Sequence, residues 1–122
     1  MIQKFRAWDK RKNKWVDYPI YIDSEGNIYW ENYERGLQEA DDLIIMQYTG
    51  LKDKNGVEIY EGDLVEHDDD IGDGWETYEP AEIVFDIDYA QFCFKWDVSN
   101  FLINYKNLKV IGNVYENPDL VK

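Results

Sequence analysis

The sequence predicts a mainly β fold: a small SH3-like or related barrel in the C-terminal half, preceded by β-hairpins, with little helix. Three observations carry this expectation. Apolar residues come in short runs bounded by turn residues, and no long stretch has helical spacing. Aromatic residues make up 16% of the chain, and these types favour sheets over helices. Asn55-Gly56 and Gly62-Asp63 are strong turn signals, and apolar runs follow at 81–86, 89–96 and 108–111.

Taken in order, Phe5 to Trp8 and Lys14 to Val16 flank the polar turn Asp9 to Asn13 and read as a first hairpin. Ile20 to Asp23 and Ile28 to Trp30 flank Ser24-Glu25-Gly26-Asn27, a second hairpin with a glycine where φ can be positive. Residues 31–42 are polar and read as a short helix or an irregular loop. Leu43 to Tyr48 is an apolar run ended by Thr49-Gly50, expected to be a buried strand. Ile59 and Tyr60 lead into Gly62-Asp63-Leu64-Val65-Glu66, a turn that opens another strand. Two more strands are expected at 81–86 and 89–96, joined by a tight turn near Ile87-Asp88. In the second, alternation places Phe92, Phe94 and Trp96 on one face, as a barrel interior requires, with Gln91, Cys93 and Lys95 on the other. Leu108 to Ile111 supplies the last strand, ahead of Gly112.

At 122 residues this is one domain, divided at the sequence level into a hairpin region (1–50) and a barrel-like region (51–122). One cysteine, Cys93, allows no intramolecular disulfide. The N-terminus lacks the apolar stretch of a signal peptide, and the longest uninterrupted aliphatic run, Leu43 to Met46, has four residues. The expected location is a bacterial cytoplasm, with no membrane partner. A net charge of −13 repels phosphates and anionic lipid, which argues against direct nucleic-acid binding. The charge is polarised along the chain. Residues 1–14 hold six of the 13 basic residues, whereas residues 55–94 hold 13 of the 26 acids and no Lys or Arg.

Three segments together resemble one family. They are Lys4-Phe5-Arg6-Ala7-Trp8-Asp9, the long stretch from Met46 through Gly50-Leu51-Lys52-Asp53-Lys54-Asn55-Gly56 to Gly62-Asp63-Leu64-Val65, and Val110-Ile111-Gly112-Asn113-Val114-Tyr115-Glu116-Asn117-Pro118. This pattern resembles the YopX-like family of phage and prophage proteins and spans the chain; His67 to Pro80 departs from it, being longer and more acidic. The resemblance implies a small phage-associated protein, with no catalytic residues to carry over, and oligomers in crystals.

Candidate chemistry is sparse. Cys93 and His67 are the only thiol–imidazole pair, but Cys93 sits between two phenylalanines as a buried hydrophobe would. His67 heads an acidic run, which favours its protonated form and makes it a poor base. One Cys and one His do not make a zinc site. Asp68, Asp70, Glu76 and Glu79 fall at calcium-loop spacing, yet Gly72 lacks a ligand and Asp73 stands where glycine is required. A solvated acidic loop is the expectation, with no cofactor or metal. Trp75 and Tyr78 on that loop, with Asp68, Asp69, Asp70 and Asp73, are the candidate partner-binding residues. Trp8, Arg11, Lys12 and Trp15 are the candidates for self-association, in which a basic hairpin meets a neighbour's acidic surface in a homo-oligomer. The expected function is that of an accessory or regulatory protein that binds another protein, without catalysis. The alternative is an acidic mimic of nucleic acid that occupies a host DNA-binding protein.

Overall fold

The computed structural model describes residues 4–70, 75–77, 80–98, 102 and 105–120. The chain forms two compact units, Phe5–Ile45 on one hand and Met1–Lys4 with Met46–Lys122 on the other. The division falls inside one strand, between Ile45 and Met46. Among the described residues no helix is long and apolar enough to cross a membrane.

The first unit is built from hairpins. Strands β1 (Phe5–Asp9) and β2 (Lys14–Trp15) form the first expected hairpin, and their pairing sets Trp8 opposite Trp15. Their turn is closed by Asp9, whose Oδ1 accepts the N–H groups of Arg11 at 2.9 Å and Lys12 at 3.0 Å. Strands β3 (Ile20–Ile22) and β4 (Ile28–Asn32) form the second expected hairpin. Here Asp23 Oδ1 accepts from Glu25 and Asn27, and its Oδ2 accepts from the Asn27 side chain and the Tyr29 hydroxyl. Residues 31–42 are neither a helix nor an irregular loop: β4 runs on to Asn32, turns, and pairs with β5 (Gly36–Glu39) to give a three-stranded sheet. Asn32 Oδ1 closes this turn by accepting from Glu34 and Arg35. β5 carries little sequence signal because Gly36-Leu37-Gln38-Glu39 is an outer strand with little apolar alternation, held by its backbone ladder.

The second unit holds the curled, half-barrel sheet. Strand β6 (Leu43–Lys52) enters it and pairs with β7 (Glu58–Tyr60). β6 does not stop at Thr49-Gly50. Gly50, at φ +88°, lies in a bulge between the Tyr48↔Tyr60 and Lys52↔Glu58 pairs, and the Thr49 hydroxyl fills the broken ladder by donating to Ile59 O at 2.8 Å. β8 (Asp63–Asp70) is the centre, bordered by β12 (Lys106–Asn113) on one side. Its other side pairs first with β10 (Ala81–Asp86) and then with β9 (Trp75–Thr77). β11 (Gln91–Phe94) completes the order β11-β10-β8-β12. Ile59, Val65, Ala81, Ile83, Phe94, Leu102 and Leu108 form the core.

Two expectations change here. Asp68–Asp70 belong to β8 and pair with Thr77, Glu76 and Trp75, so these residues of the acidic segment are strand where a loop was expected. Phe94 is fully buried, but Trp96 is 60% exposed, and Cys93 on the opposite face is buried. The strand ends at Phe94, where Asp97 N–H turns back to the Phe94 carbonyl; the Trp96 ring still stacks on Phe94 at 5.8 Å but is left largely open to solvent.

Asp53 ties the Asn55-Gly56 turn to β12. Its Oδ1 accepts the N–H groups of Asn55 and Val57 at 2.8 and 2.9 Å, and its Oδ2 accepts that of Val110 at 2.9 Å. Burial alone raises its pKa; the N–H groups of Val110, Val57 and Asn55 outweigh this, with help from the Lys54 charge, and hold it below the ordinary 3.8. A carboxyl with a depressed folded pKa contributes stability that is complete above its unfolded value and lost as pH falls through the folded one. Asp53→Asn should therefore cost about 2–4 kcal/mol near neutrality, and the gap to the wild type should narrow in melts at about pH 2. In the same melts Gly112→Ala should cost about 1–3 kcal/mol, because an added Cβ would lie 2.3 Å from the Asn117 Oδ1 that accepts the Asn113 N–H.

Candidate functional site

The turns of the first unit bring residues 9–12, 18–19, 30–33 and 39–43 around one open cleft of about 780 Å³. Tyr18, Trp30 and Tyr33 supply its aromatic lining. Trp30 is placed by β4, opposite Ile20 and Gln38, and Tyr33 follows at the β4–β5 turn, fully exposed. Tyr18 stands on the connection between β2 and β3. Burial, followed by the charges of Asp9 and Asp17, pushes its phenol above the ordinary value.

Charge in the cleft is unbalanced. Asp9, Glu31, Glu39, Asp41 and Asp42 line it, against Arg11 and Lys12. The Arg11 guanidinium is already joined to Asp42 Oδ2, so one cation neutralises one of the five carboxylates. An aromatic lining with a net negative rim attracts a cation and repels phosphate.

The residues singled out from the sequence are dispersed. Arg11 and Lys12 reach the cleft. Trp15 lies against Trp8, ring centroids 5.0 Å apart and edge to face, and under the Arg6 guanidinium at 4.6 Å. Trp8, the other aromatic candidate for self-association, lies on β1 and is only 5% exposed. The backbone places Asp68, Asp69 and Asp70 on β8 and Trp75 on β9, while Asp73 and Tyr78 lie outside the described residues, as does Glu79 of the calcium-loop spacing. Some of the basic segment's charge is matched within the chain, through Arg11–Asp42 in the first unit and Lys4–Glu58 at 2.8 Å in the second.

His67 is buried and not displayed on an acidic surface. Its ring packs 4.7 Å from Tyr105 and 5.1 Å from Phe94, centroid to centroid. Cys93 precedes Phe94 on the strand, so its thiol leaves the opposite face, where it contacts the Val84 carbonyl. The thiol and the imidazole are therefore not joined as nucleophile and base. Among the described residues no group of three His, Cys, Asp or Glu side chains is arranged to hold a metal ion.

Sequence reasoning missed the cleft and one further surface. The β10–β11 hairpin carries Phe85, Ile87 and Tyr89 in the open. A signal was present: Ile87 and Tyr89 stand at a turn, where apolar side chains have no core to enter.

Comparison with known proteins fits this fold. The family described as YopX protein matches residues 4–122. The crystal structure of protein EF1440 from Enterococcus faecalis is similar, with 28% identity, a TM-score of 0.67, and coverage of 100% of this chain and 99% of that one. Protein yopX from Bacillus subtilis shares the fold at 19% identity, with a TM-score of 0.50 and 97% of each chain covered. No curated protein sequence matches.

Burial, and then the charges of Asp86 and Asp97, push the Cys93 thiol above its ordinary pKa. The folded protein should leave Ellman's reagent unreacted and release one thiol equivalent on unfolding in urea. Rapid labelling without denaturant would contradict the burial.

Proposed function

The chain belongs to the YopX family, and from that premise we propose that it is a phage-encoded accessory or regulatory protein that acts by binding another protein. The carrying observation is the cleft of the first unit, where Tyr18, Trp30 and Tyr33 meet a surplus of carboxylates. Ring faces hold Lys and Arg groups by about 0.5–2 kcal/mol each, and carboxylates steer them in. A basic segment of a partner protein suits this lining. The proposal assigns no catalytic step and places the protein in the host cytoplasm.

The nucleic-acid mimic is the competing reading. A mimic needs carboxylates spaced along a face, and aromatic rings between them serve no purpose in it. The chosen reading thus rests on Tyr18, Trp30 and Tyr33.

Affinity capture from host lysate tests the two together, using the wild type and a Glu39→Lys/Asp41→Lys double variant. Both positions are exposed, so folding should be unaffected. The captured partner should fall at least tenfold with the double variant and weaken at high salt, while added duplex DNA leaves it in place. Capture that is indifferent to the double variant overturns the cleft. Displacement by duplex DNA would mean that the mimic reading is correct.

A further inference from the structure

The apolar face of the half-barrel does not end where the core ends. On β10 and β11 the pairs Ile83↔Phe94 and Phe85↔Phe92 lie in succession on one face. The first pair is wholly buried in the core. The second, two residues further out, leaves Phe85 46% exposed, with the two rings edge to face at 5.1 Å. Beyond it the turn carries Ile87 at 84% exposure and Tyr89 at 55%. The opposite face of the same hairpin is closed: Cys93 and Gln91 are buried, and Gln91 donates to the Val98 carbonyl at 2.8 Å.

This tip is held in shape before anything binds. Asp86 Oδ1 accepts the N–H groups of Asp88 and Tyr89, both at 3.0 Å. Ala90 takes a left-handed φ of +51°, which closes the turn onto Gln91. Large apolar side chains on a preformed turn lose little conformational freedom on docking, which is the property of an interface anchor. Left in water, the same side chains forgo the gain of burying their apolar surface.

The surroundings select the occupant. Asp86 and Asp88 stand beside the anchors, and residues 46–122 carry 17 acids against six lysines. A second copy that met this face with the same face would set Asp86 and Asp88 against their own counterparts, whereas cations around an apolar recess are attracted. We propose that the β10–β11 tip is a docking surface for a partner protein that presents an apolar socket rimmed by Lys or Arg, with Ile87 and Tyr89 entering the socket. This surface lies within the second unit and stands independently of the cleft of the first.

A displayed random-peptide library selected on the folded chain provides the probe. Selected peptides should hold an apolar cluster flanked by Lys or Arg. They should bind at least tenfold more weakly to Ile87→Asp and to Tyr89→Ala, and several-fold more weakly to Asp88→Lys. Ile87 and Tyr89 are exposed, so circular dichroism and melting of both variants should match the wild type. The Glu39→Lys/Asp41→Lys variant should bind these peptides unchanged, which separates failure of this surface from failure of the cleft. Peptides that ignore Ile87→Asp and Tyr89→Ala overturn the docking surface, and peptides that ignore Asp88→Lys overturn the basic rim. A concentration-dependent dimer by light scattering, abolished by Ile87→Asp, identifies the occupant as a second copy and also overturns the proposal.

Discussion

One buried carboxylate, Asp53, organises the second unit. It accepts three backbone N–H groups, two from its own turn and one from Val110, 57 residues away. An unpaired N–H in that position would carry a desolvation penalty, and a carboxylate offers enough lone pairs to meet all three at once. The turn after β6 is thereby fixed against β12, and Lys54 N–H adds a bond to the Leu108 carbonyl. A contact between residues this far apart in sequence is not encoded by local propensity.

The same chemistry recurs at smaller scale. Asp9, Asp23, Asn32, Asp86 and Asn113 each place a side-chain oxygen on backbone N–H groups of the turn that follows. A chain made of short strands has many turns, and each leaves donors that the ladders do not reach. Part of the acidic excess is therefore structural. Other carboxylates, such as those lining the cleft of the first unit, remain at the surface, where they repel anions and attract cations.

Much of the family resemblance rests on residues that serve the backbone. Gly62 has φ +83°, and a Cβ there would press on Met46 Sδ at 3.1 Å. Asp63 is almost wholly buried and accepts the Tyr60 N–H. Gly112 leaves room for Asn117, and Asn113 holds the N–H groups of Tyr115 and Glu116. These motifs specify how the chain turns. The surfaces argued to bind partners come mainly from residues outside them: Tyr18, Trp30 and Tyr33 in the first unit, Ile87 and Tyr89 in the second.

The sequence by itself determined the β class, the first two hairpins, the turns at Asn55-Gly56 and Gly62-Asp63, the strand at 81–86 and the heart of the last strand at 108–111. All of these depend on alternation and turn chemistry within a few residues. β5 and β9 were illegible because Gly36–Glu39 and Trp75–Thr77 are held by ladder hydrogen bonds to a neighbouring strand, which leave little mark on side-chain pattern. The tertiary structure alone decided that Trp8 is buried and Trp96 exposed, since each depends on where a strand ends and what packs over it. It also decided the cleft, which unites four segments scattered over residues 9–43, and the apolar tip, where a core face continues past its cover. Periodicity reports which side chains share a face; only the packed chain decides whether that face meets protein or water.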